Sequence, residues 1–459
     1  MKPTFFLLST VGLCLTQPAR AADGSADARQ FWPQWRGPLA TGFAPLADPP
    51  LTWSESSHVK WKSQLPGSGD ATPVIWGDRV FILTAIPTGK KAEAAAAESP
   101  ASGTNSPAPP DGPPGRGGMG SGPPKGVYQF DVLCLDRKTG KTLWQKVARE
   151  EVPHEGHQPN NTFASASPVT DGECVVAFFG SRGLHCYDVQ GNHQWSKDLG
   201  HMKTKMTFGE GASPTLSGDT VVVYWDDEGS NDFIAAFDKH TGKELWRTPR
   251  DEPTGWSTPL VVEADGKRQV IVNATGKVRS YDLATGKEIW SCAGQTANAI
   301  PSPVASADTV YVTSGFRGSA LYAIQLGRTG DLTGSDAVRW THDKHTPYVP
   351  SPLLAGDLLY VLAINSGVLS CFNAKTGAAQ FEAEKLEGVN EIYASPVAAK
   401  DRVYLLGRDG TCVVIKQGTK LEVLATNKLD DKTDASMALA GKEVFIRGRQ
   451  NLYCITEGP

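Results

Sequence analysis

The sequence predicts an all-β fold: an eight-bladed β-propeller of four-stranded antiparallel blades, with the ring closed by a strand from near the N-terminus. One strand start recurs along the chain. Prolines at Pro73, Pro168, Pro214, Pro259, Pro303, Pro352 and Pro396, with Met437 in the eighth place, open strings such as "ASPVTDGECVVAFF", "PSPLLAGDLLYVLA" and "ASPVAAKDRVYLLG". Past the first interval the spacing stays in the forties, the length of one propeller blade. A second string recurs in step with the first, as "CLDRKTGKTLW", "AFDKHTGKELW" and "SYDLATGKEIW". No segment carries a sustained helical period, whereas β-branched and aromatic runs bounded by Gly and Asp are frequent.

Taken in chain order, residues 1–21 read as a secretory signal peptide. Lys2 provides the positive start, an apolar run from Phe5 to Leu15 follows, and Ala19-Arg20-Ala21 matches the small-x-small cleavage pattern. The run is too short to span a bilayer, and no later run reaches that length. The mature protein is therefore expected to be exported, periplasmic or extracellular, with no transmembrane segment. Residues 22–50 include "FWPQWRGPLATGF", whose two Trp need cover, so this lead is expected to lie across the propeller surface. The propeller itself is assigned to 51–459.

Within it, "HVKWKSQL" (58–65) is a strand with Trp61 near its middle. Residues 87–126 are rich in Ala, Pro, Gly and Ser, and are expected to form a disordered low-complexity insert between the second and third strands of the first blade. The seventh unit typifies the rest, with four runs at 395–398, 402–406, 411–416 and 421–426 separated by Lys-Asp and Gly turns. The eighth unit stops at "LYCITEGP" after its third strand. Strand 58–65 supplies the missing fourth, which removes two exposed sheet edges.

The second recurring string covers the end of a blade's third strand, the turn and the fourth strand. Asp136, Asp188, Asp238, Asp282 and Asn373 stand where the third strand ends, and an Asx side chain there accepts amide hydrogen bonds from the turn. The Gly that follows permits a positive φ. Trp144, Trp195, Trp246, Trp290 and Trp340 then occupy the fourth strand, with Trp61 in the closing strand and Phe381 in the matching place of the sixth unit. Each indole can bury ~200 Å², worth up to about 5 kcal/mol before entropy is subtracted. A single blade cannot cover such a ring, so its neighbour must. Because the group recurs around the ring, it reads as architecture and not as a site. Gly140-Lys141-Thr142 is no phosphate loop, since the first Gly of that motif would fall at Leu135. One third-strand slot holds Cys134, Cys186, Ala236, Ser280, Ala323, Cys371, Val414 and Cys454, all of small or modest size. Cys there is expected to be a free, buried thiol in a tight packing position.

The net charge of −4 gives no reason to expect nucleic acid or an anionic membrane as partner. In a propeller, the loops entering the first strands share a face with the loops between second and third strands. The former carry His154, His157, Asn160, His201, His342 and His345, and the latter carry Arg182, Asp226, Asp227, Glu228, Arg317, Arg408, Asp409 and Arg449. From these the candidate ligand or partner face is drawn: His154, His157, Asn160, Arg182, Asp226, Asp227, Arg317, His342, His345 and Arg408. Arg182, Arg317 and Arg408 come from different blades and could converge on an anion, or each could pair with a local Asp. His154, Glu155 and His157 could approach a metal, but His-x-x-His on a loop lacks fixed geometry and no third ligand is implied, so no metal site is assigned. No Cys-x-x-Cys, Ser-His-Asp order or paired-carboxylate spacing stands out, and catalytic residues stay unassigned.

The Asp-x-x-Thr-Gly-Lys-x-x-Trp turns, the Ser-Pro strand starts and the eightfold count together resemble the PQQ-like β-propeller repeat family, over about residues 51–459. The "WPQWRGP" lead (32–38) is similar to the start of exported members from environmental bacteria, planctomycetes especially. The resemblance implies three functions: a quinoprotein alcohol or sugar dehydrogenase using PQQ with calcium, the propeller lipoprotein of the outer-membrane assembly machinery, or a non-catalytic exported scaffold. Quinoprotein dehydrogenases usually have an adjacent Cys-Cys, which this chain lacks, and their calcium ligands map onto no position here. The assembly lipoprotein would need a lipidation Cys in the usual box, and Leu13 before Cys14 does not suit one. The expectation is a monomeric, non-catalytic scaffold that binds a protein or small molecule through its loop face.

Overall fold

The computed structural model describes residues 28–91 and 121–458. The expected signal peptide and most of the expected insert lie outside the described residues. Eight antiparallel sheets surround a central channel, and the chain visits them in order. Blade 1 is Val74–Trp76, Arg79–Lys91, Gly126–Asp136 and Thr142–Glu151. Blade 7 is Val397–Ala399, Arg402–Leu406, Thr411–Lys416 and Val423–Lys428, close to the runs read from the sequence. Blade 8 is Ala438–Ala440, Glu443–Arg447 and Asn451–Thr456, completed by Val59–Gln64 with Trp61 opposite Cys454. Three single-turn 3₁₀ segments are the only helical elements among the described residues.

The ends of the 87–126 stretch differ from the expected disorder. The ladder of blade 1 continues from Pro87 opposite Tyr128 to Lys91 opposite Gly126. Tyr128 and Phe130 pack against Phe163 from the next blade, so the long hairpin gains a side-chain anchor that composition does not reveal.

Neighbouring blades are joined at the recurring Trp. In five of the eight blades the indole donates to the carbonyl just after the Asx residue of the next: Trp61 to Arg137 (2.9 Å), Trp144 to Val189 (3.1 Å), Trp195 to Lys239 (2.7 Å), Trp246 to Leu283 (2.8 Å) and Trp340 to Ala374 (3.0 Å). The turn Gly lies flat on the ring. At Gly242, φ is +66° and a Cβ would sit 2.6 Å from the Trp195 ring. The Gly is thus required both by φ and by the close approach. Asp136, Asp238, Asp282 and Asn373 accept the amides two and three residues on, which holds each turn in shape.

Blade 5 has no such turn, and the arrangement changes there. Trp290 of blade 4 donates instead to Gln269 Oε1 (3.1 Å). Its outer strand is covered by Gly330–Asp331, which pairs with it in parallel, and Leu332 packs alongside. Opposite each aromatic stands the small third-strand residue, as in Cys134–Trp144, Cys186–Trp195 and Cys371–Phe381. All seven described Cys are free and buried. Burial pushes the thiols of Cys134 and Cys371 up to about 12.

The Ser-Pro starts have a second role. Around the channel, the amide of each Ser or Thr before the shared Pro donates to the hydroxyl of the next blade: Thr72 to Ser167, Ser167 to Ser213, Ser213 to Thr258, Thr258 to Ser302, Ser302 to Ser351, Ser351 to Ser395 and Ser395 to Ser436, all between 2.6 and 3.2 Å. This belt satisfies buried donors that the Pro-interrupted inner strands cannot pair. It is open at the junction of blades 8 and 1, where the buried Thr72 Oγ1 has no partner.

Candidate functional site

The lead crosses the far end of the channel and blocks it. Trp32 is fully buried and bridges to Ile75 of blade 1. The Pro33 carbonyl accepts from Thr170 of blade 2, Thr41 from Leu354 of blade 6, and Gly42 from Ala398 of blade 7. Phe43–Ala44 adds in parallel to the inner strand of blade 7. Arg36 is buried and donates to the carbonyls of Pro352 (2.8 Å) and Pro396 (3.0 Å). With Trp35 as floor, the channel becomes a blind cavity of about 970 Å³, mouth included, open on the loop face.

Its wall is built from one register position. The residue three places before the shared Pro faces the cavity in every blade. Blades 8 and 1 supply Asp434 and Asp70, blades 2 and 3 the small Ser165 and Gly211. Blades 4 to 6 supply Trp256, Ile300 and Val349, and blade 7 supplies Tyr393. Tyr348 and Phe208 extend the apolar side, and Gln158, Asn160 and Asn161 the polar one. The wall is therefore acidic on one side and apolar on the other.

The two acids differ. Asp434 is half-buried, its side chain nearly inaccessible and bound by three donor atoms: Arg408 Nε (2.5 Å), Arg408 Nη2 (3.1 Å) and Arg449 Nη2 (2.6 Å). Asp70 is half-buried, and no described side chain or amide hydrogen-bonds or ion-pairs with its carboxylate. Burial, then repulsion from Asp434, pushes its carboxyl up to about 6, against the opposing pull of Arg447, Arg449 and Arg408. A folded-state value above the unfolded one of about 3.9 means that the native state binds the proton more tightly. The group costs nothing below about pH 4, and destabilises the fold increasingly as pH rises through 6. Asp70→Asn is expected to stabilise the protein at pH 7 by about 1–2 kcal/mol, after allowance for water in the cavity, and to change nothing at pH 4. Urea unfolding at the two pH values measures this, and equal stability at pH 7 would refute it.

Of the ten residues selected from the sequence, Asn160 lines the cavity, and Arg408 stands behind it. Arg408 bonds Asn160 Oδ1 (3.1 Å), pairs with Asp434 and Glu391, and lies 4.1 Å from the centre of the Tyr393 ring. The others are dispersed. Arg182 is buried between blades 2 and 3, paired with Glu210 (3.0 Å) over the rings of Phe130 and Phe163. Asp226 forms a two-point ion pair with Arg250, both side chains fully buried. Asp227 accepts the amides of Lys203 and Gly229. His154 stacks on His201 and donates to the Met202 carbonyl, and His157 donates to Gln158 and packs edge-on to Phe163. His342 sits at the seam of blades 5 and 6, stacked on Phe372 and donating to Gly377. Arg317 and His345 are exposed on strained turns with φ of +54° and +53°. The three arginines do not converge, and Glu155 is occupied by Thr204.

The reading from sequence missed Asp70, Trp256, Tyr393 and Asp434. They were visible in the same repeat alignment as the least uniform position beside the most uniform one. Their register carries neither His nor Arg, the residue types that mark most of the loops selected from the sequence.

Among known proteins, the model of a family described as outer membrane protein assembly factor BamB matches residues 129–382, more than half of the chain. The fold is similar to that of BamB from Moraxella catarrhalis, with 17% identity, a TM-score of 0.51, and 74% of this chain and 95% of that one covered. It is similar also to the quinohemoprotein alcohol dehydrogenase from Comamonas testosteroni, with 10% identity, a TM-score of 0.62, and 94% and 81% covered. A europium-containing methanol dehydrogenase gives 9% identity, a TM-score of 0.61, and 94% and 98% covered. No curated protein sequence matches the chain.

Proposed function

The chain belongs to the PQQ-like β-propeller family, and from that premise we propose that it is an exported, non-catalytic scaffold that holds a protein segment or small molecule at its loop face. The observation that carries this is the blind cavity. Its floor is sealed by Trp35, its belt hydroxyls accept from neighbouring amides, and its wall varies freely on a constant frame. Rigid rings with variable wall positions suit selective binding.

The residues present do not fit PQQ with calcium. Such a cofactor brings three carboxylates, and the cavity faces it with Asp70 and Asp434. Arg408, which reaches this wall, already serves Asp434, Glu391 and Asn160. Among the described residues, no three His, Cys, Asp or Glu side chains are grouped to hold a cation. The expected result is an unchanged melting temperature at saturating PQQ and calcium, with no dye-linked oxidation of alcohols or sugars. A ligand that binds only the folded ring must raise that temperature, so a rise accompanied by turnover would refute the reading.

A second reading is favoured by the description of the matching family: the bound partner is a protein, and the chain assists outer-membrane protein assembly. Co-purification with outer-membrane components tests it, and their absence from the eluate would remove it.

A further inference from the structure

We propose that the cavity binds an ammonium group on an apolar stem, with Asp70 as its counter-ion. This rests on the binding reading of the same cavity and names the class of ligand. Of the described charged groups facing Asp70, none hydrogen-bonds or ion-pairs with it: Asp434 is served by other residues, and Arg447 attracts Asp70 without bonding to it. Asp434 is neutralised by Arg408 and Arg449. Arg447 is buried and donates to the carbonyls of Leu83 (2.7 Å) and Ala71 (3.4 Å). Asp70 alone presents a carboxylate to the cavity without a hydrogen-bonding partner among the described residues.

The opposite wall suits the other end of such a ligand. Trp256, Ile300, Val349 and Tyr348 offer apolar surface to the stem. An anion would meet two carboxylates. A neutral ligand would leave Asp70 unpaired in a confined site, where its ionisation is already disfavoured. An ammonium satisfies both, because it supplies the hydrogen-bonded counter-ion that Asp70 lacks and buries its stem against the aromatic side. The cation could belong to a free alkylamine or to a Lys side chain of a peptide.

The test uses the whole protein with n-pentylammonium, n-pentanol as its neutral counterpart, and an acetylated, amidated Gly-Lys-Gly peptide, followed by calorimetry and Trp fluorescence. Pentylammonium or the peptide is expected to bind at least tenfold more tightly than pentanol. Asp70→Asn is expected to weaken binding at least tenfold, with an unchanged circular dichroism spectrum. Wild-type affinity is expected to fall about tenfold from pH 7.5 to 5, as Asp70 takes up a proton while the ligand keeps its charge. A tighter peptide assigns the cation to a protein partner, and a tighter free amine to a small molecule. Equal binding of pentanol, no binding of either cation, or a flat pH profile in the wild type would overturn the proposal, even if the variant failed to fold. Failure of the amines beside a thermal shift with another ligand refutes this inference alone. Turnover with PQQ and calcium refutes the scaffold reading beneath it.

Discussion

Trp195→Ala is expected to destabilise the propeller by about 3–5 kcal/mol, seen as a lower urea midpoint with hydrogen exchange increased first in blades 2 and 3. Trp195 is buried between those blades, in a cluster joining Val176 and Cys186 to Val221, Ala235 and Phe237. Its Nε1 donates to the Lys239 carbonyl at 2.7 Å. Truncation loses the packing area, leaves a void between two sheets and strips a carbonyl of its donor. The companion change Gly242→Ala attacks the same contact from the other side. It forces a Cβ to 2.6 Å from the indole at a φ of +66°, and should cost about 2–4 kcal/mol. A loss below 1 kcal/mol for Trp195→Ala would mean that the blades are not joined at their indoles.

Arg250→Met should be about as damaging, at about 3–5 kcal/mol, because it leaves the Asp226 carboxylate buried without its partner. Arg250 binds Asp226 at 2.7 and 3.2 Å and Tyr281 Oη at 2.5 Å, with both charged side chains fully inaccessible. Burial opposes the guanidinium charge, but the adjacent carboxylate holds it firmly in place. The double variant Asp226→Leu/Arg250→Met should recover most of the loss, since a well-packed apolar pair avoids the desolvation of both charges. If the double variant were as unstable as the single one, the pair would be holding the fold through something other than charge balance.

Asp226 illustrates how far the reading of loops could go. Its acid and its position on a second-to-third-strand loop were plain, and suggested a surface. Its partner lies 24 residues away, on the end of its blade's outer strand, and nothing in the local string announces the pairing. Arg182 is similar: its Glu210 and two Phe rings come from neighbouring blades. The Trp slots were legible because a repeat states its own neighbours. Whatever one blade needs from the next is written into both, once per turn. Blade 5 broke that rule, and the parallel cover of Trp290 by Gly330–Asp331 was not foreseen.

The sequence by itself determined the blade count, the closing strand around Trp61, the docking turns and the buried thiols. These depend on contacts repeated between equivalent positions, so periodicity is enough to reveal them. Only the tertiary structure decided that the lead seals the channel, that the serine hydroxyls link blade to blade, and that Asp70 is left open beside a satisfied Asp434. Those outcomes depend on which different side chains meet across the ring, and closure of the ring brings together residues as distant as Asp70 and Asp434 that no local pattern relates.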